Sequence, residues 1–290
     1  MIPLITLKKD VQFNSWFAKI VDAMKGIASA RFYMLQRRLS LFEPFSSAAG
    51  SILAGMHLQG LEHPFLKPAS QRTNIVLVTS DEGFLGGLNA QIVSAGLQEA
   101  GSNPLITIIG SQGRTYIRDA SNRAVIFPGV TESTRFQSAV ALRNHIVKQV
   151  LTGQCGRVLI AYARAISFAV QKVQVEPLIP CTSWIETSKQ PAQGIGMLWE
   201  SDPADVVEYV VTGWLAHHLD EIFALSRLAE LSARAVHLEG SYQELQRQGK
   251  KIKSQYLRTR HEVIDRSIRE ISTAAILFHG KQSEEMEEDE

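Results

Sequence analysis

The longest regular pattern in this chain lies in its C-terminal third, where residues 205–280 contain no proline. Apolar or small residues recur there at alternating three- and four-residue steps, first as Leu228, Leu231, Ala235, Leu238, Tyr242, Leu245, Gly249, Ile252, Tyr256, Thr259 and Val263, and then, one residue out of phase, as Ile264, Ile268, Ile271 and Ala275. A heptad-like repeat of this length predicts a coiled-coil helix. Such a helix would be roughly 110 Å long at about 1.5 Å per residue, so partner surface must cover part of it.

The N-terminal segment, from about Leu4 to His63, shows a second apolar pattern with helical spacing. Its positions are Trp16, Phe17, Ile20, Met24, Ile27, Met34 and Leu35. Pro44 predicts a kink, and the prolines at 64 and 68 end the segment. We expect the two terminal helices to pair antiparallel, because this arrangement buries both apolar faces.

Between these helices the apolar period changes, and short β-branched runs alternate with helical stretches. We predict strands at 75–78, 105–109, 124–127, 158–162 and 169–179, and helices at 88–100 and 138–151. This alternation is typical of an α/β domain with right-handed crossovers. Residues 188–196 are rich in Gly, Gln, Pro and Ala and are predicted to form a linker. Ser201-Asp202-Pro203 predicts the start of a helix, with Ser or Asp as N-cap and Pro in the first turn.

The predicted fold class is therefore α/β, with a long antiparallel coiled coil of N- and C-terminal helices and a central Rossmann-like domain. The predicted boundaries are 1–68 for the N-terminal shaft helix, 73–196 for the central α/β domain, 203–280 for the C-terminal shaft helix and 281–290 for an acidic disordered tail.

Composition narrows the classes of function. The 30 basic and 29 acidic residues nearly cancel, so no global field favours nucleic acid or an acidic membrane. Two cysteines, Cys155 and Cys181, are too few for a disulfide framework and lack metal-ligand spacing. The N-terminus lacks signal-peptide features, and there is no apolar run of about 18 residues, so we expect membrane association only through partners.

A glycine-rich turn at Asp81–Asn89 follows a predicted strand and precedes a predicted helix, as phosphate-binding loops do. It matches neither the dinucleotide fingerprint nor the P-loop, so we expect a tight turn in which glycines allow close backbone approach. The adjacent His217 and His218 point in different directions on a helix, and no nucleophile elbow is present. We therefore expect no catalytic site, no cofactor and no metal.

The basic stretch Arg247–Arg260 leaves three interpretations open. It could follow nucleic-acid phosphates, but Tyr256 is its one aromatic residue. It could instead be a solvated helix face, or it could face an acidic ring of partner subunits. The sequence favours the last two interpretations equally.

With these residues identified, four segments resemble the gamma subunit of rotary F-type ATP synthases. Lys19–Arg31 resembles that family's K-I-T-K-A-M-K-M-V-A-A-A-K, and Thr79–Asn89 resembles T-S-D-R-G-L-C-G-G-L-N. Phe168-Ala169-Val170 and Val175–Pro180 are similar to the strand pair that ends its α/β domain. On the last helix, Glu230–Leu238 carries Ala233-Arg234, and Arg260–Asp265 resembles R-Q-A-A-I-T. Asp22, Glu82, Asp265 and Ser267 depart from the family pattern and indicate a divergent member, from an alternative ion-translocating ATPase.

The resemblance implies a rotor that makes and breaks no covalent bond. Its partners would be the alpha and beta subunits of the catalytic hexamer, the epsilon subunit and the c-ring, with no nucleic acid. It would lie on the cytoplasmic side of a bacterial inner membrane, held there by these partners. Matching motif positions assign the contacts with the catalytic ring to Met24, Lys25, Arg258, Arg260 and His261.

Two other classes of function are kept as alternatives. The first is a small nucleotide-binding α/β enzyme with coiled-coil extensions, which predicts saturable nucleotide binding by the isolated chain. The second is a coiled-coil scaffold that binds nucleic acid through Arg247–Arg260, which predicts a steep loss of affinity with salt.

Overall fold

The computed structural model describes residues 3–38, 43–54, 56, 61–117, 124–187 and 200–287. Its helices are α1 (Leu4–Arg38), α2 (Glu43–Ala54), α3 (Leu88–Ala100), α4 (Arg135–Leu151), α5 (Thr182–Thr187) and α6 (Pro203–Glu287). Its strands are β1 (Thr73–Val78), β2 (Leu105–Ile109), β3 (Val125–Phe127), β4 (Arg157–Ala165) and β5 (Gln171–Ile179), and a 3-10 helix covers Ser111–Tyr116. The predicted linker at 188–196 lies outside the described residues.

The chain divides into two compact units. The terminal unit contains the chain up to Met24 together with the chain from Leu238 onward, and the central unit is Lys25–His237. Among the described residues, no helix is both long and apolar enough to cross a lipid bilayer.

The central unit is built on one five-stranded sheet with the order β3-β2-β1-β4-β5. Strands β3, β2, β1 and β4 are parallel, and β5 pairs antiparallel with β4. The β-branched runs explain these strands, because both sheet faces are covered and alternation with polar residues is not needed. The predicted strands and helices of the central α/β domain are confirmed, with ends that differ by up to three residues.

Each face of the sheet has its own apolar core. One core joins Val76 and Ile160 to α4 through Ile146 and to α6 through Leu215 and Phe223. The other core joins strand residues of the opposite face to α3, and it also includes Ala229 and Ala233 of α6. Helix α6 therefore contributes to both cores of the domain.

Helix α6 begins as the sequence predicts. The Asp202 carboxylate accepts a hydrogen bond from the Ala204 backbone N–H at 2.9 Å, and Pro203 occupies the first turn. At the other end the helix continues to Glu287, past the predicted start of a disordered tail at 281. The residues after Gly280 are mostly Lys, Gln, Glu and Met, which are good helix formers, and none is proline.

The predicted apolar face of α1 is wrong. Of its seven residues only Leu35 is buried, whereas Trp16 is 59% exposed and Met34 is 58% exposed. The buried positions of α1 are instead Leu7, Ala18, Val21, Ala28, Phe32 and Leu35. This face was missed because several of its side chains are small, and small side chains allow a closely packed helix pair.

The predicted N-terminal shaft segment 1–68 contains two helices. Helix α1 ends at Arg38, and α2 begins at Glu43 with Pro44 in its first turn, where proline is tolerated. Residues 61–68 have no helix.

A half-buried histidine, His218, links β5 to α6. His218 Nε2 lies 3.0 Å from Glu176 Oε1, and its Nδ1 lies 3.7 Å from Glu221 Oε2. The ring stacks on Trp214 with centroids 5.0 Å apart. Burial opposes the charged ring, but hydrogen bonds to Glu176 and Glu221 outweigh it and raise the pKa of His218 to about 9.

We predict that this cluster makes stability depend on pH. Because the folded pKa of about 9 exceeds the unfolded value of 6.5, the contribution is fully present below pH 6.5 and is lost as pH rises to 9. The free energy of unfolding should fall over that window by up to about 3 kcal/mol. Urea unfolding at several pH values will measure this decline.

His218→Gln should remove most of this decline, and His217→Gln, which changes the exposed neighbour, should keep it. Equal pH profiles for wild type and His218→Gln would contradict the assignment.

Candidate functional site

In the terminal unit, the α1 and α6 segments pack through a narrow seam. Leu7, Ala18 and Val21 are buried on α1, and Leu238 is buried on α6. The next predicted α6 seam positions are half-buried, namely Tyr242, Leu245, Gly249, Ile252, Tyr256 and Thr259. The predicted continuation of the seam is wrong, because α1 does not cover this part of α6 and its residues are exposed, namely Val263, Ile264, Ile268, Ile271 and Ala275. The predicted seam of α6 is therefore confirmed as far as Thr259.

A side-chain contact crosses this seam at Gly249. The Asn14 side-chain amide donates a hydrogen bond to the Leu245 carbonyl at 3.0 Å, one helical turn before Gly249. A Cβ atom on Gly249 would lie 2.5 Å from Asn14 Nδ2, so a larger residue at 249 requires the amide to move. The glycine thus leaves room for the Asn14 side chain beside the α6 backbone.

The helices run antiparallel, as predicted. Asn14 contacts Leu245, whereas Phe32, further along α1, belongs to an apolar cluster with Leu228 and Leu231. The residue numbers of the contacting α6 positions therefore decrease as the residue numbers on α1 increase, which defines an antiparallel pair.

The five predicted ring contacts fall into two groups. Met24 and Lys25 are half-buried on α1, whereas Arg258, Arg260 and His261 are exposed on α6. Arg258 Nε lies 3.5 Å from Glu262 Oε1, and both side chains remain mostly exposed. Asn14 lies beside α6 residues 245–249. Met24 lies further along α1 in one direction from this level, and Arg258 lies further along α6 in the other. At about 1.5 Å per residue, the two residues are roughly 30 Å apart along the helix axis. The structure does not bring the two groups together.

The glycine-rich turn after β1 is a tight strand-to-helix turn, as expected. Gly86 and Gly87 have φ values of 58° and 91°, in the region that favours glycine. Asp81 stabilises the turn: one carboxylate oxygen accepts a hydrogen bond from the Ser111 N–H at 2.7 Å, and the other accepts one from the Gly129 N–H at 2.9 Å. Asp81 thus binds two neighbouring loops of the domain.

The same turn also contacts α6. Arg234 Nη1 lies 2.7 Å from Glu82 Oε2, and Arg234 Nε donates to the Gly83 carbonyl at 3.4 Å. A Cβ on Gly86 would lie 3.5 Å from His237 Nδ1, so the turn passes directly along the helix. We call this set of contacts the turn–helix latch.

A buried carboxylate lies next to the latch on α6. Arg227 Nη1 is 2.6 Å from Glu230 Oε2. Burial raises the pKa of Glu230, and the nearby charges of Arg227 and Arg234 lower it. Burial has the larger effect, so the pKa of Glu230 is raised above its ordinary value.

Helix α6 also covers the place where open α/β sheets bind ligands. In such folds the crevice lies beyond the carboxyl ends of the strands, where the strand order reverses, here between β1 and β4. The chain after β1 contacts Arg234, and the chain after β4 contacts Ser232, whose hydroxyl donates to the Phe168 carbonyl at 2.8 Å. A nucleotide-binding enzyme would need this crevice, so the structure gives that alternative no support.

The predicted basic stretch is on the exposed surface of α6. Arg247, Lys250, Lys251, Lys253, Arg258 and Arg260 are all exposed. Arg247 pairs with Glu244 on its own helix at 2.7 Å.

Sequence reasoning missed the latch and the His218 cluster. Arg234 lies within a family-like segment and Glu82 departs from the family pattern, but no local spacing connects residues 152 positions apart. In the sequence, His218 stands out only as one of a histidine pair. Its partner Glu176 is on β5, so the cluster exists only once the sheet and α6 have packed.

A model of the protein family described as ATP synthase matches residues 9–276. Relatives named ATP synthase gamma chain include one from Chlorobaculum tepidum, which is 26% identical over 272 residues, 89% of this chain and 92% of the relative. Another, from Paracidovorax citrulli, is 23% identical over 267 residues, 89% of this chain and 93% of the relative. The match spans both terminal helices and the central domain.

Solved structures share the fold. A chain of the Euglena gracilis mitochondrial ATP synthase, in a structure of its OSCP, F1 and c-ring, superposes with a TM-score of 0.68 at 17% identity, covering 96% of this chain and 95% of that one. A chain of the rotor of the same synthase gives a TM-score of 0.63 at 16% identity, with 90% and 98% covered. These matches agree with the α/β domain and paired helices described above.

We predict that Glu82 and Arg234, the two charged residues of the turn–helix latch, contribute unequally to the free energy of unfolding. Glu82 is 60% exposed, so Glu82→Gln should lower the free energy of unfolding by less than about 1 kcal/mol. Arg234→Met should cost more, about 1–3 kcal/mol, because it removes both the ion pair with Glu82 and the hydrogen bond to the Gly83 carbonyl. Urea unfolding of both variants measures the difference, and equal losses would show that the exposed pair dominates.

Proposed function

Because the chain belongs to the gamma-chain family of ATP synthases, we propose that it is the central-stalk rotor of a rotary ATP synthase. In this role it couples ion flow through the membrane ring to conformational cycling of the catalytic hexamer. The chain itself carries out no bond chemistry. The observation that carries the proposal is the family match over residues 9–276, which includes both helices of the narrow seam.

The exposed residues in the last part of α6 support the proposal that this part of the helix is enclosed by partner subunits. Every described side chain from Arg260 to Ala275 is exposed, including Ile264, Ile268 and Ile271. Ile268 is 59% exposed and Ile271 is 69% exposed, and they recur at helical spacing. An apolar stripe of this kind needs covering surface, which a surrounding ring of alpha and beta subunits would supply.

The central unit is suited to hold one end of the shaft and to transmit torque. The turn–helix latch and Ser232 attach α6 to the two loops beyond β1 and β4. Arg135 adds a bidentate pair to Asp220 of α6, at 2.8 and 3.1 Å. Force applied to the domain would therefore reach α6 through charged and hydrogen-bonded contacts on several sides.

We propose that the central unit binds the c-ring and an epsilon-type subunit. A groove with a volume of about 750 Å³ lies between α2, α4 and α6 and supports such an interaction. Tyr209 on its rim is 83% exposed. Through these partners the chain would lie on the cytoplasmic side of a bacterial inner membrane, consistent with relatives from bacteria.

In energetic terms, the rotor acts as a moving ligand of the ring. It can shift a catalytic subunit between states only if it binds those states with different affinities. The different side chains around α1 and α6 supply such unequal faces. The predicted contacts Met24, Lys25, Arg258, Arg260 and His261 remain our proposal for this interaction.

Co-expression with candidate alpha and beta subunits tests the function. We expect size-exclusion chromatography to give a complex with one copy of this chain per six ring subunits, and an ATPase turnover that depends on the chain. A chain that elutes alone, while the ring subunits assemble without it, would contradict the proposal.

We predict that charge reversal on the exposed end of α6 weakens coupling. Arg258→Glu with Arg260→Glu should lower the ATPase turnover of the assembled complex several-fold, because the introduced glutamates at these exposed positions would face the acidic ring surface as like charges. Lys172→Glu with Arg157→Glu reverses two exposed charges on the central domain and serves as the control. Unchanged turnover in an assembled Arg258/Arg260 variant would rule out this role.

A further inference from the structure

A cavity of about 370 Å³ lies within the central unit, between α1, the start of α4 and α6. This volume is in the lower part of the range for small-molecule sites, about 300–1,000 Å³. Each of the three helices contributes one arginine to its lining, namely Arg31 from α1, Arg135 from α4 and Arg227 from α6. We call it the arginine cavity.

Two of these guanidinium groups are held in position by carboxylates of α6. Arg135 donates to both carboxylate oxygens of Asp220, at 2.8 and 3.1 Å, and Arg227 Nη1 lies 2.6 Å from Glu230 Oε2. Both carboxylates are buried, whereas each arginine side chain keeps 21% of its surface exposed. Because their orientation is already fixed, these two arginines lose little conformational entropy when a ligand binds.

The third arginine supplies a positive charge that is not already used. Arg31 is exposed on α1, and in the part of the chain that the structure describes no Asp or Glu forms an ion pair with it. The two acidic residues of the lining pair with other arginines, Glu82 with Arg234 and Glu132 with Arg38. An anion in the cavity can therefore bind Arg31 without breaking an existing ion pair.

The arginine cavity lies beyond the carboxyl ends of two strands of the sheet. Glu82 follows β1, and Val130 and Thr131 follow β3. Parallel α/β sheets bind their ligands at this edge. Helix α6 covers the crevice between β1 and β4, and the arginine cavity lies on the other side of β1, towards β3. The N-terminus of α4, with N-cap Thr134, also borders it, and the N-terminus of a helix attracts anions.

The rest of the lining indicates what kind of anion fits. It is mostly apolar and comes from Met34, Leu35, Val130, Phe223, Ala224 and Leu231. An apolar lining with a few oriented polar groups is typical of sites for small organic molecules. Guanidinium groups bind phosphate through paired hydrogen bonds, and a phosphate has enough acceptor oxygens for three arginines to share it.

We propose that the arginine cavity binds a small, soluble organic phosphate, with its phosphate group on Arg31, Arg135 and Arg227 and its apolar part against the remaining lining. The cavity is too small for the two acyl chains of a phospholipid, which favours a soluble molecule over a membrane lipid. Such a ligand joins three helices of the central unit and stabilises their packing. Binding requires no ring subunit, so this inference goes beyond the rotor function and is tested separately from it.

Calorimetry of the full-length chain with phenyl phosphate tests the proposal, because this probe joins a phosphate to a small apolar ring. We expect saturable binding at one site per chain. Inorganic phosphate should compete but bind at least tenfold more weakly, and benzyl alcohol, which has the ring without the charge, should not compete. Absence of saturable binding would overturn the proposal, and equal affinity for inorganic phosphate would overturn the assignment to an organic ligand.

Two variants with matched controls test the lining. Arg31→Gln should weaken phenyl phosphate binding at least tenfold, whereas Arg37→Gln, which removes the same charge from the same helix outside the cavity, should change it less than twofold. Met34→Glu places a negative charge in the lining and should weaken binding at least fivefold, with Gln36→Glu as its control. All four side chains are exposed, so the variants should fold as the wild type does. Equal losses in variant and control would contradict the site.

Chemical modification locates the bound probe. Phenylglyoxal reacts with exposed arginines, and peptide mass spectrometry measures the rate at each one. Saturating phenyl phosphate should slow the modification of Arg31 at least fivefold and that of Arg37 less than twofold. If both rates stay the same, the probe binds elsewhere and the proposal is wrong.

Two further measurements test other occupants. The chain should not sediment with phosphatidylglycerol vesicles, and vesicle binding that Arg31→Gln loses would assign the cavity to a lipid headgroup instead. In the complex with the ring subunits, Arg31 should still react with phenylglyoxal and still be protected by phenyl phosphate. An Arg31 that is unreactive in the complex without the probe would show that a partner fills the cavity, which overturns the proposal. If no complex forms, the rotor function fails and the result on the full-length chain still decides this inference.

Discussion

The close approach of α1 and α6 is the constraint on which the terminal unit depends. A backbone position without a side chain, Gly249, faces Asn14, and the neighbouring seam residue Ala18 is small. The seam also takes Leu7 of α1 and, half-buried, Tyr242 of α6, so it admits large side chains that face it. Trp16 and Phe17 are exposed because of their positions around α1, away from the buried side. Two paired helices cannot bury every face of one another, so these aromatic residues need other surface to cover them.

The central unit uses an α/β sheet for a mechanical purpose. The strand order creates a crevice between β1 and β4, and in many proteins a nucleotide occupies such a site. Here α6 occupies it, held by Arg234 at one loop and by Ser232 at the next. The glycines that would let a backbone approach a phosphate instead let it approach a helix. Fold similarity to nucleotide-binding domains is therefore a poor guide to function in this chain, and the contents of the crevice decide it.

Much of the fold could be predicted from the sequence, because the signals are local. Apolar period and turn residues located every strand of the central sheet, and the heptad repeat located the α6 seam as far as Thr259. The α1 seam was not predictable in this way, since an apolarity scale ranks Trp16 above Ala18 while a narrow interface selects for small size. The latch and the His218 cluster were also missed, because each joins residues far apart in the chain. The family resemblance, carried by four separate segments, is confirmed by the match over residues 9–276.

The contact between Asn14 and the turn at Gly249 also has a consequence for how related chains can change. The Leu245 carbonyl that accepts the Asn14 amide is one helical turn before the glycine, so the two positions share one small volume. A residue larger than glycine at 249 requires the Asn14 amide to move, which would weaken its hydrogen bond to the Leu245 carbonyl. A shorter side chain at 14 would relieve this contact, so substitutions at these two sites, 235 residues apart in the chain, should be coupled in evolution.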